Sequence, residues 1–266
     1  MTNVLSMIES QIRADSIERD RMYKRNGHWF SDLTRCNRSR YYSWKNEPVT
    51  NHPNISGQFK MDIGNHIESW FRDKLLRCDD TFVGSSNKKI QLNIGELEYP
   101  FRFELDIPAI IQGSKMVIEI KSSHGRGITD IKKSGKPKLD HALQTFGYVN
   151  YEGYDKGKII YIARDSGYTT SFDLIRGTRY WFELESAFNI QIERTRELEK
   201  SLRDCIIPDR EYKLCFRDGV AVDKFTADRV DYKSDFQCNY CNYKEKCWEE
   251  MLGEKLGKYC GTKRIV

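Results

Sequence analysis

Three side chains suited to acid, base and metal chemistry fall within one short stretch, YPFRFELDIPAIIQGSKMVIEIKSS at 99–123: Asp106, Glu119 and Lys121. Two carboxylates provide hard oxygen ligands for a magnesium or manganese ion, and a neighbouring amine orients water or steadies developing negative charge. The pattern D-x12-E-x-K is short, and a hairpin with an ordinary solvated polar face would carry the same residues.

The elements that must bring these groups together are two strands. Apolar runs from Phe101 to Ile111 and from Met116 to Ile120 flank Gln112-Gly113-Ser114-Lys115, a polar gap with a glycine, which predicts a β-hairpin. Side chains alternate along a strand, so Phe101, Phe103, Leu105 and Ile107 share one face and Asp106 takes the other. In the second strand Met116, Ile118 and Ile120 oppose Val117, Glu119 and Lys121. With both apolar sets on one core, the two carboxylates and the amine converge on the opposite face.

The chain has 266 residues, 39% hydrophobic and 31% charged, the composition of a folded globular protein and not of a disordered one. It has no run of about 18 apolar residues, so no transmembrane helix and no membrane partner are expected. MTNVLSMIESQIRAD lacks the basic start and apolar stretch of a secretory signal, which predicts a cytoplasmic location. A net charge of +5, from 44 basic and 39 acidic residues, points only faintly to nucleic acid. Its distribution says more: Arg126, Lys132, Lys133 and Lys136 follow Lys121 closely, in what reads as a basic, glycine-containing loop suited to holding a polyanion.

Helical spacing predicts helices over residues 2–22, Phe59–Leu76, Leu139–Tyr151 and Thr178–Leu202, with a short one capped by Ser31 or Thr34 and containing Cys36. Strands are expected at 88–94, 158–163 and 168–174. The pattern is that of one α/β domain with an appended C-terminal module.

The eight cysteines occur in a chain read as cytoplasmic, where metal ligation is more expected than disulfides. CNYCNYKEKCW places Cys238, Cys241 and Cys247 in a C-x2-C-x5-C run, a spacing that lets neighbouring thiolates reach one metal centre. A fourth ligand must come from Cys260, which would make a self-contained zinc knuckle, or from Cys36, which would join the two ends of the chain. Thiolates alone do not choose between zinc and iron–sulfur.

Taken in order, these segments resemble the RecB-like branch of the PD-(D/E)XK nucleases that carries a 4Fe-4S cluster, including CRISPR-associated exonucleases and AddB-type nuclease domains. LTRCNRSRYY is similar to the segment that supplies a lone cysteine ligand, here Cys36. GNHIESWF is similar to the motif carrying a metal-binding histidine, here His66. ELD and EIK match the acidic motifs at Asp106, Glu119 and Lys121, and QTFGY matches a Q-x3-Y motif at Gln144 and Tyr148. Leu105 stands where the superfamily's name would put proline.

The resemblance implies a restriction-endonuclease-like α/β core, a central mixed sheet flanked by helices, with an iron–sulfur module joining N- and C-terminal segments. Residues 1–266 form one nuclease domain on this reading, 28–45 and 205–266 building the module around a 59–202 core. It implies a Mg2+- or Mn2+-dependent exonuclease acting on single-stranded DNA or DNA ends. His66, Asp106, Glu119 and the Ile120 carbonyl would hold the metal, Lys121, Gln144 and Tyr148 would assist, and Cys36, Cys238, Cys241 and Cys247 would hold the 4Fe-4S cluster. No helicase motif occurs in the sequence, so unwinding would fall to a helicase, recombination or CRISPR partner. The competing reading is a non-catalytic nucleic-acid-binding protein with a zinc knuckle.

Overall fold

The computed structural model describes residues 3–22, 24–84, 89–212, 215–217, 220–221, 235–254, 259–260 and 263–265. The elements are α1 (Val4–Met22), β1 (His28–Trp29), α2 (Asn37–Trp44), α3 (Ile55–Leu75), β2 (Thr81–Val83), β3 (Lys89–Leu92), β4 (Phe101–Glu104), β5 (Ile107–Ile111) and β6 (Ser114–Ser123). After these come α4 (Gly125–Ser134), α5 (Leu139–Tyr151), β7 (Lys156–Ala163), β8 (Thr169–Ile175) and α6 (Arg179–Asp204). The C-terminal part holds β9 (Cys215–Arg217), β10 (Val220–Ala221), α7 (Phe236–Asn239), α8 (Lys244–Glu254), β11 (Tyr259–Cys260) and β12 (Lys263–Ile265). Among the described residues no helix is long and apolar enough to cross a membrane.

The chain divides into two compact units, one of Gly27–Thr34 and Gly57–Arg196, the other of Met1–Asn26, Arg35–Ser56 and Glu197–Val266. The first is built on a five-stranded mixed sheet in the order β2-β5-β6-β7-β8, with β6 and β7 parallel and the remaining neighbours antiparallel. A parallel pair needs a long crossover, and α4 and α5 provide it. A three-stranded sheet, β1-β4-β3, completes the strands of this unit.

Strand β6 is central, and Met116 to Ile120 are all buried. One face of the sheet, through Val117, Ile159 and Tyr161, joins the larger core with Phe101, Phe103, Phe146, Leu184 and Phe188. The other face, through Met116, Ile118 and Ile120, packs against Ile67, Phe71 and Leu75 of α3. The predicted hairpin is therefore buried on both faces, and the face of Glu119 is covered by α5 instead of solvent.

Two further expectations are corrected. The run from Phe101 to Ile111 is not one strand: it breaks at Leu105 and Asp106, with β4 pairing β3 and β1 while β5 pairs β6. The basic stretch after Lys121 is not a loop but a helix, because Ile128 and Ile131 are buried one turn apart. His124 caps its start and Gly135, at φ +67, its end. Lys136, just past the helix, forms an exposed pair with Glu183 at 2.7 Å.

The hairpin turn itself is tight. Ile111 pairs with Ser114, leaving Gln112 and Gly113 as a two-residue loop with φ of 51° and 77°. Two successive positive φ values fit the right-handed twist of the flanking strands.

The second unit buries Tyr41, Tyr42, Leu198 and Tyr243 together. Arg38 is buried within it and donates to Glu250 at 2.8 Å and to the Tyr42 hydroxyl at 2.7 Å. Cys36 is the residue just before α2, not a member of it.

Candidate active site and cysteine cavity

The β5–β6 register pairs Ile107 with Ile118. Continued by one residue it sets Asp106 opposite Glu119. The break in the strand at Asp106 frees its carboxylate to turn along β6, where Oδ2 accepts the backbone N–H of Ile120 at 3.0 Å. Its own carbonyl accepts from the Arg72 guanidinium on α3. Lys121, two residues beyond Glu119 on the same face, lays its ammonium against Glu119 Oε1. Asp106, Glu119 and Lys121 thus share one site.

The electrostatics are those of crowded acids short of positive charge. Glu119 is 0% exposed. Its carboxyl is pushed up to about 8, by burial first and the Asp106 charge next, against the pull of Lys121. Burial also raises Asp106, opposed by Lys121 and the Ile120 N–H. Burial works against the charge on Lys121, but Glu119 and Asp106 overcome it and hold the amine protonated. The Glu119 oxygens meet only the Lys121 ammonium and the Asp106 carboxyl among the described residues, and no backbone N–H or neutral donor reaches them.

Helix α3 brings a residue that the sequence motif passes over. Gly64, Ile67, Glu68, Phe71, Arg72 and Leu75 recur at helical spacing, and a Cβ at Gly64 would lie 3.4 Å from Ser122 Oγ on β6. Glu68 is half-buried, and burial together with Asp106 raises its carboxyl. Arg72 lies 3.8 Å from it, one turn on. His66, two residues before Glu68 and so about 200° around the helix, is exposed. The structure brings Glu68 towards the carboxylates and leaves His66 on the outer side. A lone carboxylate within the apolar stripe of Ile67, Phe71 and Leu75 is the signal that could have found it.

Gln144 and Tyr148, one turn apart on α5, are both buried, and Gln144 Nε2 donates to the Tyr148 hydroxyl at 2.6 Å. Tyr148 stacks on Phe103 with ring centroids 5.1 Å apart. Burial, then the Glu119 charge, keeps its phenol from ionising. His141, one turn earlier on the same helix face, is a further polar group of this wall.

In the other unit, Cys36, Cys238, Cys241 and Cys247 line one small open cavity. Asn51 donates to the Cys241 carbonyl at 2.9 Å, and the Thr50 and Asn51 amides both donate to the Asn242 carbonyl, tying the segment after α2 to the cysteine turn. Arg210 Nε donates to Cys247 Sγ at 3.3 Å and the Tyr243 amide to Cys241 Sγ at 3.4 Å. Burial pushes the Cys238 thiol up, and the neighbouring Cys241, Cys36 and Cys247 push it further. Cys260 lies where side chains are outside the described residues.

Among the described residues no three His, Cys, Asp or Glu side chains form a ready-made single-ion site. Both sites nevertheless suit a bound group. Magnesium keeps several waters and needs only one or two protein carboxylates, which Glu119 and Asp106 provide with one ammonium between them. Four thiols around one cavity are the donor set of either a zinc ion or an iron–sulfur cluster.

No protein-family model matches the chain, and no curated protein matches it. Among solved structures, the crystal structure of SSO0001 is similar over 89% of this chain and 94% of its own, with 18% identity and a TM-score of 0.52. At that identity the likeness is one of fold. An alkaline exonuclease, LHK-Exo from Laribacter hongkongensis, covers 71% of this chain and 97% of its own at 16% identity and a TM-score of 0.44. Its complex with dAMP covers 68% and 93% at 15% identity and 0.40. Both scores are too low to bear on this chain.

Proposed function

We propose that this protein is a divalent-metal-dependent deoxyribonuclease that hydrolyses phosphodiester bonds, acting as an exonuclease on single strands or DNA ends. The observation that carries the reading is the fully buried Glu119 carboxylate set against a second acid, Asp106, with Lys121 the one ammonium close to the pair among the described residues. Two buried carboxylates facing one ammonium leave one negative charge uncompensated, which costs several kcal/mol or forces the pair to hold a proton, so the pair is matched to a further cation. The order of motifs around it resembles that of the RecB-like nucleases, which supports the reading.

Asp106, Glu119 and the Ile120 carbonyl would hold one or two magnesium or manganese ions, with Glu68 at the margin. When bound, such an ion lowers the pKa of a water and polarises the phosphate. Lys121, kept protonated by the carboxylates, orients that water or takes up charge on the phosphate oxygens. The Ile120 N–H fixes the Asp106 carboxylate, Arg72 fixes its backbone, and Gln144 with Tyr148 closes the wall behind Glu119. Cys36, Cys238, Cys241 and Cys247 would hold a 4Fe-4S cluster as a structural group, linking segments about 200 residues apart in sequence.

The test is cleavage of end-labelled single-stranded DNA with Mn2+, beside Asp106→Ala and a circular single strand. Loss of linear DNA by the unaltered protein alone, with the circle spared, is expected. No metal-dependent cleavage overturns the proposal, and cleavage of the circle overturns its exonuclease part.

A further inference from the structure

Tyr161 is the register partner of Lys121 across β6 and β7. Paired residues project from the same face of a sheet, so the tyrosine leaves the sheet beside Lys121, one strand spacing of about 4.8 Å away. Tyr161 is buried, and a buried hydroxyl is costly unless its hydrogen and its lone pairs are both used. Its oxygen accepts the backbone N–H of Lys138 at 3.0 Å and lies 2.9 Å from His141 Nδ1.

Those two bonds decide the imidazole's tautomer. Were Nδ1 to carry the ring proton, the hydroxyl hydrogen would find no acceptor among the described residues. Donated to Nδ1, it satisfies both groups and leaves the ring proton on Nε2. Nε2 points away from the anchor, 3.7 Å from Asp140 Oδ2, and the side chain is 21% exposed against 26% for Lys121. Burial holds the imidazole down to about 4, with Lys121 and Lys138 adding to it against Asp140, so the ring is neutral.

We infer that His141 is a further substrate-contacting residue of the proposed nuclease, its Nε2–H donating to a non-bridging oxygen of the phosphate that Lys121 faces. The inference rests on the nuclease reading. A neutral donor suits this place because a second cation beside Lys121 would be repelled by it and would compete with a metal on the carboxylates. A neutral imidazole with a fixed proton binds a phosphate oxygen without either cost. Tyr161 sets the ring's position relative to Lys121 through the strand register.

The bland role for the same residue is an anchor of α5 to Tyr161, and the experiment separates the two. kcat and KM are measured with Mn2+ on a single-stranded oligonucleotide for the unaltered protein, His141→Ala, His141→Gln, Tyr161→Phe and Asp106→Ala, with thermal unfolding of each. His141→Ala should lower kcat/KM about ten- to a hundredfold with its unfolding temperature kept. His141→Gln, whose amide N–H reaches the Nε2 position, should recover most of the loss, and Tyr161→Phe should lose less than His141→Ala. Full activity in His141→Ala overturns the inference alone. So does a glutamine variant no better than alanine, with all three variants unfolding early. Absence of Asp106-dependent cleavage by the unaltered protein overturns the nuclease reading and this inference with it.

Discussion

The Asp106 carboxylate is held 3.0 Å from the Ile120 backbone N–H, so one acid of the site is fixed by the strand that carries the other. That bond needs only an oxygen. Asp106→Asn keeps an acceptor for Ile120 but removes the charge, and should therefore fold normally, bind DNA and lose cleavage. Without the Asp106 charge, the Glu119 carboxyl falls back towards the ordinary range. Isothermal titration with Mn2+ and cleavage of labelled DNA check it. An Asp106→Asn protein that cleaves as the unaltered one does would remove Asp106 from the site.

Metal-free stability should depend on pH in a particular direction. Glu119 has its carboxyl raised from 4.5 to about 8 in the folded chain, so the folded state holds a proton that the unfolded state releases. The stability this contributes is fully present below 4.5 and is lost as pH rises through about 8. Unfolding temperatures in a chelator should fall between pH 5 and pH 9 as an estimated window. Magnesium should offset the fall most at the alkaline end, where it replaces the proton. A chelated protein equally stable across that range would contradict the burial of this pair.

Lys121→Met should separate binding from chemistry. The ammonium is the close counter-charge of Glu119, and its loss leaves the acids facing one another. Cleavage should vanish, DNA affinity should fall little, and the metal-free protein should lose stability above pH 8, the value to which Glu119 is raised. Cleavage by this variant at the unaltered rate would sink the assignment of Lys121.

Parts of this arrangement were open to reading in the sequence and parts were hidden by it. Gln112-Gly113 marked the turn, and Glu119 and Lys121 declared their common face by alternation. The break at Asp106 was invisible, because Phe101, Phe103, Leu105 and Ile107 alternate without interruption and all are buried although the chain changes sheets there. Helix α4 was masked by its charged surface, two isoleucines being too few to outweigh six polar neighbours in a ten-residue span. On α3 the histidine drew attention and the glutamate two residues later turned inward. The cysteine run was legible from spacing, whereas the place of Cys36 in the same cavity depends on contacts between residues far apart in sequence.

The cysteine cavity makes its own prediction. Arg210 donates to the Cys247 sulfur and, through Nη2, to the Cys247 carbonyl at 3.0 Å. A cation hydrogen-bonded to a ligand sulfur stabilises the more negative, reduced state of a cluster. On the proposed cluster reading, the protein is brown, and Arg210→Gln, purified anaerobically, should keep that colour but show a lower midpoint potential and faster bleaching in air. Cys36→Ala and Cys238→Ala should be colourless. A colourless unaltered protein containing stoichiometric zinc would replace the cluster by the zinc reading.

Packing between α5 and the sheet sets the position of Gln144, Tyr148 and His141 together, and Gly157 on β7 shows how little slack it has. A Cβ there would come within 2.5 Å of Thr145 Cγ2 and 3.0 Å of Val149 Cγ2. Both neighbours are buried, Val149 has one preferred rotamer on a helix, and the Thr145 hydroxyl is tied to the His141 carbonyl at 3.0 Å, so neither swings away without strain. Gly157→Ala should then lift α5 from the strand and cost about 1–3 kcal/mol. That corresponds to a fall of roughly 2–10 °C in unfolding temperature for a domain of this size. Glu119 lies on β6 and Asp106 is tied to that strand through the Ile120 N–H, so on the nuclease reading metal affinity should be nearly unchanged while kcat drops with the displaced α5 wall. Equal stability in Gly157→Ala would mean that α5 is not seated on β7 at this point.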